Sequence, residues 1–317
     1  MSNFIKIGGP CSIESERQIY DIVRSIKNRT DIIRGGIWKP RTSFGTFEGV
    51  GEVGLQWVKN ISDDLGVSFM IEVGLPKHIE LCLKYGVNIF WLGARTSTNS
   101  FIINELSEVL KGVDCKVFIK NPINPDLSMW LSCFDRFRAK GTNDLYAIHR
   151  GFNIYPKSDI YRNVPIFSIV KDFCNKNPDI PMIIDPSHIV GNSSRVLDFL
   201  YISMVSGLYS GYMLEVHNKP IEAITDSMQQ LSCEEYNAIS LSSNGKSLLD
   251  YYRVSIDVCD DNILNNINER FNYVTNIGDY KKNNNSIIID SDRYEKKLKV
   301  FEEKFREVKY RFFTKFI

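Results

Sequence analysis

Eight short apolar runs, each rich in β-branched residues, recur through the first two thirds of this 317-residue chain. Runs of this length are typical of strands that are buried on both faces of a parallel sheet. The stretches between them are long enough for crossover helices, and residues 14–28, 77–85 and 194–205 have helical periodicity. The runs occupy residues 4–8, 32–37, 68–73, 89–94, 116–121, 145–150, 181–186 and 211–216. This alternation predicts an α/β protein, and the count of eight favours a closed (β/α)₈ TIM barrel over an open doubly wound sheet with extra strands.

The pattern changes after Gln230. Residues 240–247 are small and polar and contain glycine, which is the composition of a linker. Beyond them the pattern is helical only, with a polar turn at residues 281–285. We predict a barrel over residues 1–239, a linker over 240–247 and a small all-α helical hairpin over 248–317. The hairpin has an apolar seam that must pack on the barrel or on a second copy of the chain, formed by Leu249, Tyr252, Ile256, Ile263, Ile267, Phe271, Val274, Ile277, Leu298, Phe301, Phe305, Val308 and Phe312.

The composition is that of an ordinary soluble globular protein, with 43% hydrophobic and 24% charged residues. A net charge of +1 gives no global field that would attract nucleic acid or a membrane surface. The seven cysteines form no CxxC pair, and the chain begins without the apolar segment of a signal peptide. We therefore expect a cytoplasmic protein with reduced thiols and with neither a nucleic-acid nor a membrane partner.

Polar side chains follow every predicted strand. Because the carboxyl ends of barrel strands converge on one face, we expect these side chains to share a site. Several of them are cations that would repel one another unless anions bind among them. The cationic set is Arg34, Lys39, Arg41, Arg95, Lys120 and Arg150. The sequence thus predicts a ligand with several negative charges, most simply two phosphorylated metabolites.

A second polar set consists of Cys11, His188, Glu215 and Asp226. A thiolate, an imidazole and two carboxylates suit a divalent transition metal such as Mn²⁺, Fe²⁺ or Zn²⁺. Each residue also has an ordinary interpretation, since a cysteine after a first strand is often a small core residue and the carboxylates can pair with the arginines. The metal hypothesis therefore depends on their co-occurrence. We expect His78 to be a solvated helix residue, and His149 and His217 to be packing residues.

The motifs at the strand ends resemble those of the type I 3-deoxy-D-arabino-heptulosonate 7-phosphate (DAHP) synthases, and most closely their β subgroup. The resemblance is collinear and extends through Leu231. The motifs are Gly9-Pro10-Cys11-Ser12, Lys39-Pro40-Arg41-Thr42-Ser43, Gly93-Ala94-Arg95-Thr96, Asp185-Pro186-Ser187-His188 and Glu215-Val216-His217. It implies a metal-dependent transferase that condenses phosphoenolpyruvate with erythrose 4-phosphate, the first step of the shikimate pathway of aromatic amino-acid biosynthesis.

The resemblance also implies individual roles. The metal ligands map onto Cys11, His188, Glu215 and Asp226. The phosphoenolpyruvate contacts map onto Arg34, Lys39, Arg95, Lys120 and Arg150. Contacts to the phosphate of erythrose 4-phosphate map onto Arg41 and Thr42. The catalytic candidates are Lys39, Lys120, Cys11 and His188, with Lys120 as acid/base at C2 of phosphoenolpyruvate.

Three alternatives remain open from the sequence. The 3-deoxy-octulosonate 8-phosphate synthases share the barrel, but they carry a Lys-Ala-Asn-Arg type loop where this chain has Lys39-Pro40-Arg41-Thr42. Pro40 removes a backbone donor and fixes φ, so the two loops offer different surfaces to a four-carbon and a five-carbon aldehyde. An aldolase would need a lysine nucleophile and no metal set. A non-catalytic barrel that serves as partner of another enzyme would not need these residues at all.

The tail resembles the helical chorismate mutases that some β-type synthases carry at the C-terminus. The resemblance places a mutase-like pocket at Arg253, Arg270, Lys281, Asp290 and Arg293. Tyr294 stands where many of these mutases have glutamate, and the sequence stops at Ile317, before the third helix. A regulatory or dimerising hairpin is the alternative to chorismate-to-prephenate activity. In either case we expect a homodimer or a higher homo-oligomer.

Overall fold

The computed structural model describes residues 4–39, 45–240, 244–284 and 290–315. Eight parallel strands pair in sequence order, and the first also pairs with the eighth, so the sheet closes into a barrel. The strands are β1 (Ile5–Gly9), β2 (Ile32–Gly35), β3 (Phe69–Glu72), β4 (Ile89–Leu92), β5 (Lys116–Lys120), β6 (Leu145–His149), β7 (Met182–Ile184) and β8 (Gly211–His217). Each strand overlaps one of the predicted runs, and the predicted (β/α)₈ barrel is confirmed.

Helices follow the strands and cover the outside of the barrel. They are α1 (Glu16–Ile26), α2 (Glu52–Leu65), α3 (Pro76–Lys84), α4 (Ser100–Val109), α5 (Leu127–Ala139), α6 (Phe167–Lys176), α7 (Pro186–Val190) and α8 (Ser193–Met204). Several begin at a residue whose side chain accepts a backbone N–H of the first turn, as Ser15 does for α1 and Asp126 for α5. A short ninth strand, β9 (Leu231–Ser232), then pairs with β8 and leads into α9 (Cys233–Asn237).

The barrel contains two apolar clusters. The larger one lies between the strands and the helices, where faces such as Ile19, Ile22 and Val23 of α1 are fully buried. The smaller one fills the interior of the barrel and is formed by Ile7, Ile32, Met70, Ile89, Trp91, Phe118, Ile148, Ile183 and Met213. Large side chains therefore plug the interior, and the strand ends are supported from below by a packed core.

The tail consists of α10 (Leu248–Asn283) and α11 (Ser291–Lys315), as the sequence predicted. The chain divides into two compact units, Met1–Cys259 and Asp260–Ile317. Most of the predicted seam is exposed, including Ile263, Phe271 and Phe301 at 55%, 57% and 53%. The side chains of Phe305, Val308 and Phe312 lie outside the described residues. Among the described helices, none combines the length and the hydropathy needed to cross a membrane.

The histidine predictions have mixed outcomes. His149 is buried with its Nδ1 2.9 Å from the Tyr209 hydroxyl, and His217 is buried and accepts the Lys219 N–H, so both are packing residues as predicted. The prediction of a solvated His78 is wrong. Its ring is half-buried and stacks on Trp38, with 4.0 Å between the ring centroids, because α3 places it against the segment that follows β2.

Candidate active site

A cavity of about 320 Å³ lies at the carboxyl ends of the strands. Its lining includes every member of the predicted cationic set that the structure describes, namely Arg34, Lys39, Arg95, Lys120 and Arg150. His188 and Asp226 line the same cavity. Arg41 and Thr42 lie outside the described residues, so the predicted contacts to erythrose 4-phosphate are not placed. The structure thus gathers five cations from the ends of four strands, β2, β4, β5 and β6, around one space.

Three of the four predicted metal ligands come together beside this cavity. Cys11, Glu215 and Asp226 each offer one ligand atom, and these atoms lie within 4.8 Å of one another. The register of the barrel explains the first pair, because Gly9 lies opposite Glu215 on β1 and β8. Asp226 approaches from the loop after β8, and Cys11 Sγ donates a hydrogen bond to its Oδ2 at 3.2 Å.

His188 lies next to this group of three. Its Nε2 is 3.7 Å from Glu215 Oε1, and its Nδ1 is 2.9 Å from Asp185 Oδ2. Burial lowers the pKa of His188, against the attraction of Asp185 and together with the repulsion of Lys120. A neutral imidazole with Nδ1–H on a carboxylate presents the lone pair of Nε2, which is the arrangement of metal-ligating histidines.

The electrostatics of the group also suit a cation. Burial raises the pKa of the Cys11 thiol to about 12, and Glu215 adds to this effect. Burial would raise the pKa of Glu215 as well, but His188 and Arg34 lower it below its usual value. Glu215 Oε1 is buried and makes no hydrogen bond within the described residues, although Arg34 Nη2 lies 3.1 Å away. A thiol, two carboxylates, one of which has an unsatisfied oxygen, and a neighbouring imidazole fit a divalent transition metal.

Arg34 forms the floor of the cavity. Its side chain is 1% exposed and its guanidinium lies 5.0 Å from the centre of the Trp91 ring. Gly9 permits the close approach of β1 and β2 here, since it has a φ of 148° and a Cβ would lie 2.1 Å from the Arg34 carbonyl oxygen. Arg34 Nε and Nη1 are buried without a hydrogen-bond partner in the described part of the chain. They are two donors that an anion in the cavity can satisfy.

Asp185 connects the cationic and the metal-binding parts of the site. Its carboxylate is fully buried and lies 2.8 Å from Lys120 Nζ, as well as beside His188. Burial would raise the pKa of Asp185, but His188 and Lys120 lower it well below its usual range. Asp185 also caps the first turn of α7 by accepting the His188 N–H. One ionised carboxylate therefore orients two predicted catalytic side chains.

Sequence reasoning missed three residues of the site. Asp185 stands inside a quoted motif, and its position before Pro186 could have identified it as a helix cap. Gln229 is buried and its Nε2 donates to Glu215 Oε2 at 2.6 Å. Arg162 lines the cavity and its Nη1 lies 3.0 Å from Asp226 Oδ1. No sequence signal marked Arg162, because it lies in the irregular segment between β6 and α6.

A separate groove lies within Asp260–Ile317. Its volume is about 580 Å³, and it is lined by residues of both tail helices, among them Arg270, Arg293 and Phe301. Lys281 and Asp290 are not among its lining residues, and Asp290 instead accepts the backbone N–H of Arg293 at the start of α11. Arg253 Nη1 lies 3.7 Å from Asp250 Oδ1. Within this unit the structure thus brings together two of the five predicted mutase-like residues.

A closed parallel barrel with a cation-lined cavity and a thiol–carboxylate group at its carboxyl face defines a barrel enzyme that acts on anionic metabolites. Comparison with known proteins makes this specific. Residues 2–247 match the DAHP synthetase I family, and the chain belongs to this family. Residues 252–312 match the family chorismate mutase type II. The predictions of a DAHP synthase barrel and of a chorismate mutase-like tail are confirmed.

Individual relatives agree with this assignment. The phospho-2-dehydro-3-deoxyheptonate aldolase of Thermotoga maritima is 27% identical over 259 residues, which cover 80% of this chain and 72% of that protein. A crystal structure of the DAHP synthase from the same organism has a TM-score of 0.67 and 25% identity, and the match covers 74% of this chain and 67% of that one. A truncated form of that organism's synthase has a TM-score of 0.63 at 22% identity, covers 74% and 83% of the two chains, and supports the fold alone.

Proposed function

We propose that the barrel catalyses the metal-dependent condensation of phosphoenolpyruvate with erythrose 4-phosphate to DAHP and phosphate. The observation that carries this proposal is the position of Cys11, Glu215 and Asp226 beside a cavity that five predicted anion-binding cations line. Both substrates are anionic metabolites. We therefore also propose that the protein is cytoplasmic and has neither a nucleic-acid nor a membrane partner. Membership of the DAHP synthetase I family supports the same chemistry.

Cys11, Glu215, Asp226 and His188 would hold the metal, for which we propose Mn²⁺, Fe²⁺ or Zn²⁺. When bound there, a divalent cation supplies Lewis acidity that polarises the aldehyde of erythrose 4-phosphate. Asp185 keeps the Nε2 of His188 available to it. Gln229 orients Glu215 through the hydrogen bond to its second carboxylate oxygen.

The cations bind and orient phosphoenolpyruvate. Arg34 offers its two unsatisfied donors from the cavity floor, while Lys39, Arg95 and Arg150 offset the charge of the carboxylate and the phosphate. This places C3 of phosphoenolpyruvate for attack on the aldehyde carbon, water adds at C2, and phosphate leaves by cleavage of the C–O bond. The water that adds at C2 loses one proton to the former aldehyde oxygen and the other to the departing phosphate, and C2 becomes a ketone. Lys120, whose ammonium group Asp185 holds at 2.8 Å, would be the acid/base for these transfers.

A steady-state assay of the purified full-length chain tests the proposal. Phosphoenolpyruvate consumption should require both erythrose 4-phosphate and a divalent cation, and arabinose 5-phosphate should be the poorer aldehyde. A preference for arabinose 5-phosphate would instead indicate a 3-deoxy-octulosonate 8-phosphate synthase. No turnover with either aldehyde, in a protein that folds and binds metal, would favour a non-catalytic partner.

We also propose that the tail converts chorismate to prephenate. This second proposal is supported by the groove that Arg270 and Arg293 share, because a pericyclic rearrangement needs a clamp on two carboxylates rather than a nucleophile. Arg253 and Lys281 would complete the pocket from a second copy of the chain, and the exposed seam offers the surface for such a homodimer. Measurement of chorismate loss by the full-length protein, together with its mass in solution, tests both parts.

A further inference from the structure

The backbone of Arg162 is held in place by its neighbours, whereas its side chain is partly exposed. It lies in the segment between β6 and α6, where its neighbours Tyr161 and Asn163 are both buried. The Asn163 side chain donates to the His188 carbonyl oxygen at 2.7 Å, so this segment is tied to α7. The Arg162 side chain itself is 46% exposed and reaches into the cavity. Its guanidinium can therefore change partners without movement of the backbone.

The present partners of Arg162 belong to the metal-binding group. Nη1 donates to Asp226 Oδ1 at 3.0 Å and also to Gln229 Oε1. Gln229 in turn donates to Glu215, so the positive charge of Arg162 faces two of the three clustered ligands. Burial would raise the pKa of Asp226, but Arg162 lowers it. In this arrangement Arg162 occupies the electrostatic position of a cation next to Asp226.

The same guanidinium also lines the cavity together with those of Arg95 and Arg150. Burial lowers the pKa of Arg150 to about 10, and the neighbouring charges of Arg162 and Arg95 act in the same direction. With Arg34, four guanidinium groups line this cavity, and they repel one another until an anion lies among them. If a bound metal neutralised the carboxylate of Asp226, an anion in the cavity would be the remaining partner for the guanidinium of Arg162.

We propose that Arg162 couples the two ligands of the site: it pairs with Asp226 when the metal is absent, and with the phosphate of phosphoenolpyruvate when the metal is bound. This inference rests on the proposed metal-binding and phosphoenolpyruvate sites. Arg162 therefore opposes metal binding and favours phosphoenolpyruvate binding. Substitution of a residue with only a structural role would change the affinities for metal and phosphoenolpyruvate in the same direction. Substitution of Arg162 should raise the first affinity and lower the second.

The test measures binding rather than turnover. Mn²⁺ affinity and phosphoenolpyruvate affinity, the latter with and without Mn²⁺, are measured by titration calorimetry on the full chain. Arg162→Gln should bind Mn²⁺ about three- to tenfold more tightly, the size expected for a partly exposed charge pair. Its phosphoenolpyruvate affinity in the presence of Mn²⁺ should fall about tenfold, as for loss of a charge-assisted contact. In the wild type, Mn²⁺ should tighten phosphoenolpyruvate binding, and in Arg162→Gln this effect of Mn²⁺ should largely disappear.

Two further variants make the result specific. Lys157→Gln removes one positive charge from an exposed position of the same segment and should leave both affinities unchanged. Arg162→Lys keeps the charge but loses the planar fork, so Mn²⁺ affinity should stay near the wild-type value while phosphoenolpyruvate binding weakens. Circular dichroism and thermal melts establish that each variant is folded.

The outcomes separate this inference from the proposed function. Weaker Mn²⁺ binding by folded Arg162→Gln, or unchanged phosphoenolpyruvate binding with Mn²⁺, overturns the coupling role even if the wild type is an active synthase. A wild-type protein that binds no Mn²⁺, Fe²⁺ or Zn²⁺ would overturn the proposed metal site, and the coupling with it.

Discussion

The carboxylate of Asp185 lies 2.9 Å from Nδ1 of His188, and this contact determines which nitrogen of the imidazole faces Glu215. Asp185→Asn preserves the shape but can donate to Nδ1, so the ring proton moves to Nε2 and blocks the lone pair. Metal affinity should fall about 10- to 100-fold, as for other lost supports of a metal ligand. Calorimetric titration with Mn²⁺ measures this. Asp179→Asn, which changes a carboxylate that is 71% exposed, is the matched control and should have no effect.

Metal dependence should act through Cys11. Chelation should abolish turnover, and Mn²⁺ should restore it in the wild type but not in Cys11→Ala. Metal affinity of this variant should fall by more than about 100-fold, because loss of a direct ligand exceeds the loss of its support. Cys259→Ala, at an exposed cysteine of the tail, should behave as the wild type. Full activity of Cys11→Ala in metal-free buffer would refute this role.

The loop with Arg41 should select the aldehyde. This prediction rests on the sequence motif, since the residue lies outside the described part of the structure. Arg41→Ala should raise the KM for erythrose 4-phosphate about tenfold or more, through loss of a charge-assisted phosphate contact, with little change for phosphoenolpyruvate. Arg17→Ala, at a side chain that is 93% exposed, is the control. Equal changes in the two KM values would contradict the assignment.

His149 should make the barrel sensitive to acid. Burial lowers its pKa to about 3, whereas the unfolded chain has about 6.5. The unfolded state therefore binds more protons between these values, and stability falls as the pH drops below about 6.5. At pH 5 this one group costs about 2 kcal/mol. Urea unfolding at pH 7 and pH 5 should show a smaller difference for His149→Gln than for the wild type.

The hydrogen-bond partner of His149 provides the control. Tyr209→Phe removes the contact of 2.9 Å without removing the titrating group. It should lower stability at both pH values and leave the difference between them close to that of the wild type. If His149→Gln has the wild-type pH dependence, other buried groups account for the acid sensitivity.

The tail should have weak chorismate mutase activity that disappears in Arg270→Ala, because one arm of the proposed dicarboxylate clamp is lost. Arg306→Ala changes an exposed arginine of α11 outside the groove and should retain activity. Removal of residues 248–317 should leave the barrel folded but change its assembly or its regulation. Light scattering and circular dichroism measure these effects. A monomeric full-length protein without turnover of chorismate would contradict both proposals for the tail.

The sequence predicted those features that depend on regular local geometry. Strands buried on both faces leave continuous apolar runs, so β1 to β8 and the residues at their ends could be located. The proximity of Cys11 and Glu215 then follows from the pairing of β1 with β8. Asp226 was also assigned to the metal-binding set from the sequence, but its left-handed backbone, with a φ of 50°, depends on the contacts of its loop. Arg162 could not be predicted, because an irregular segment leaves no periodicity from which the direction of a side chain follows. The stack of His78 on Trp38 likewise depends on a segment without repeating structure.

The packed interior below the cavity has a consequence for the order of events. Trp91 and Phe118 are buried in the centre of the barrel, so the described residues leave no passage through the interior from the amino end to the site. In the proposed reaction, both substrates, the product and the released phosphate would use the same opening at the carboxyl face. Arg34 lies at the bottom of this space, against Trp91 of the packed interior. In the proposed reaction, phosphoenolpyruvate on Arg34 should therefore bind before the aldehyde, and an excess of aldehyde should slow turnover by occupying the route to Arg34.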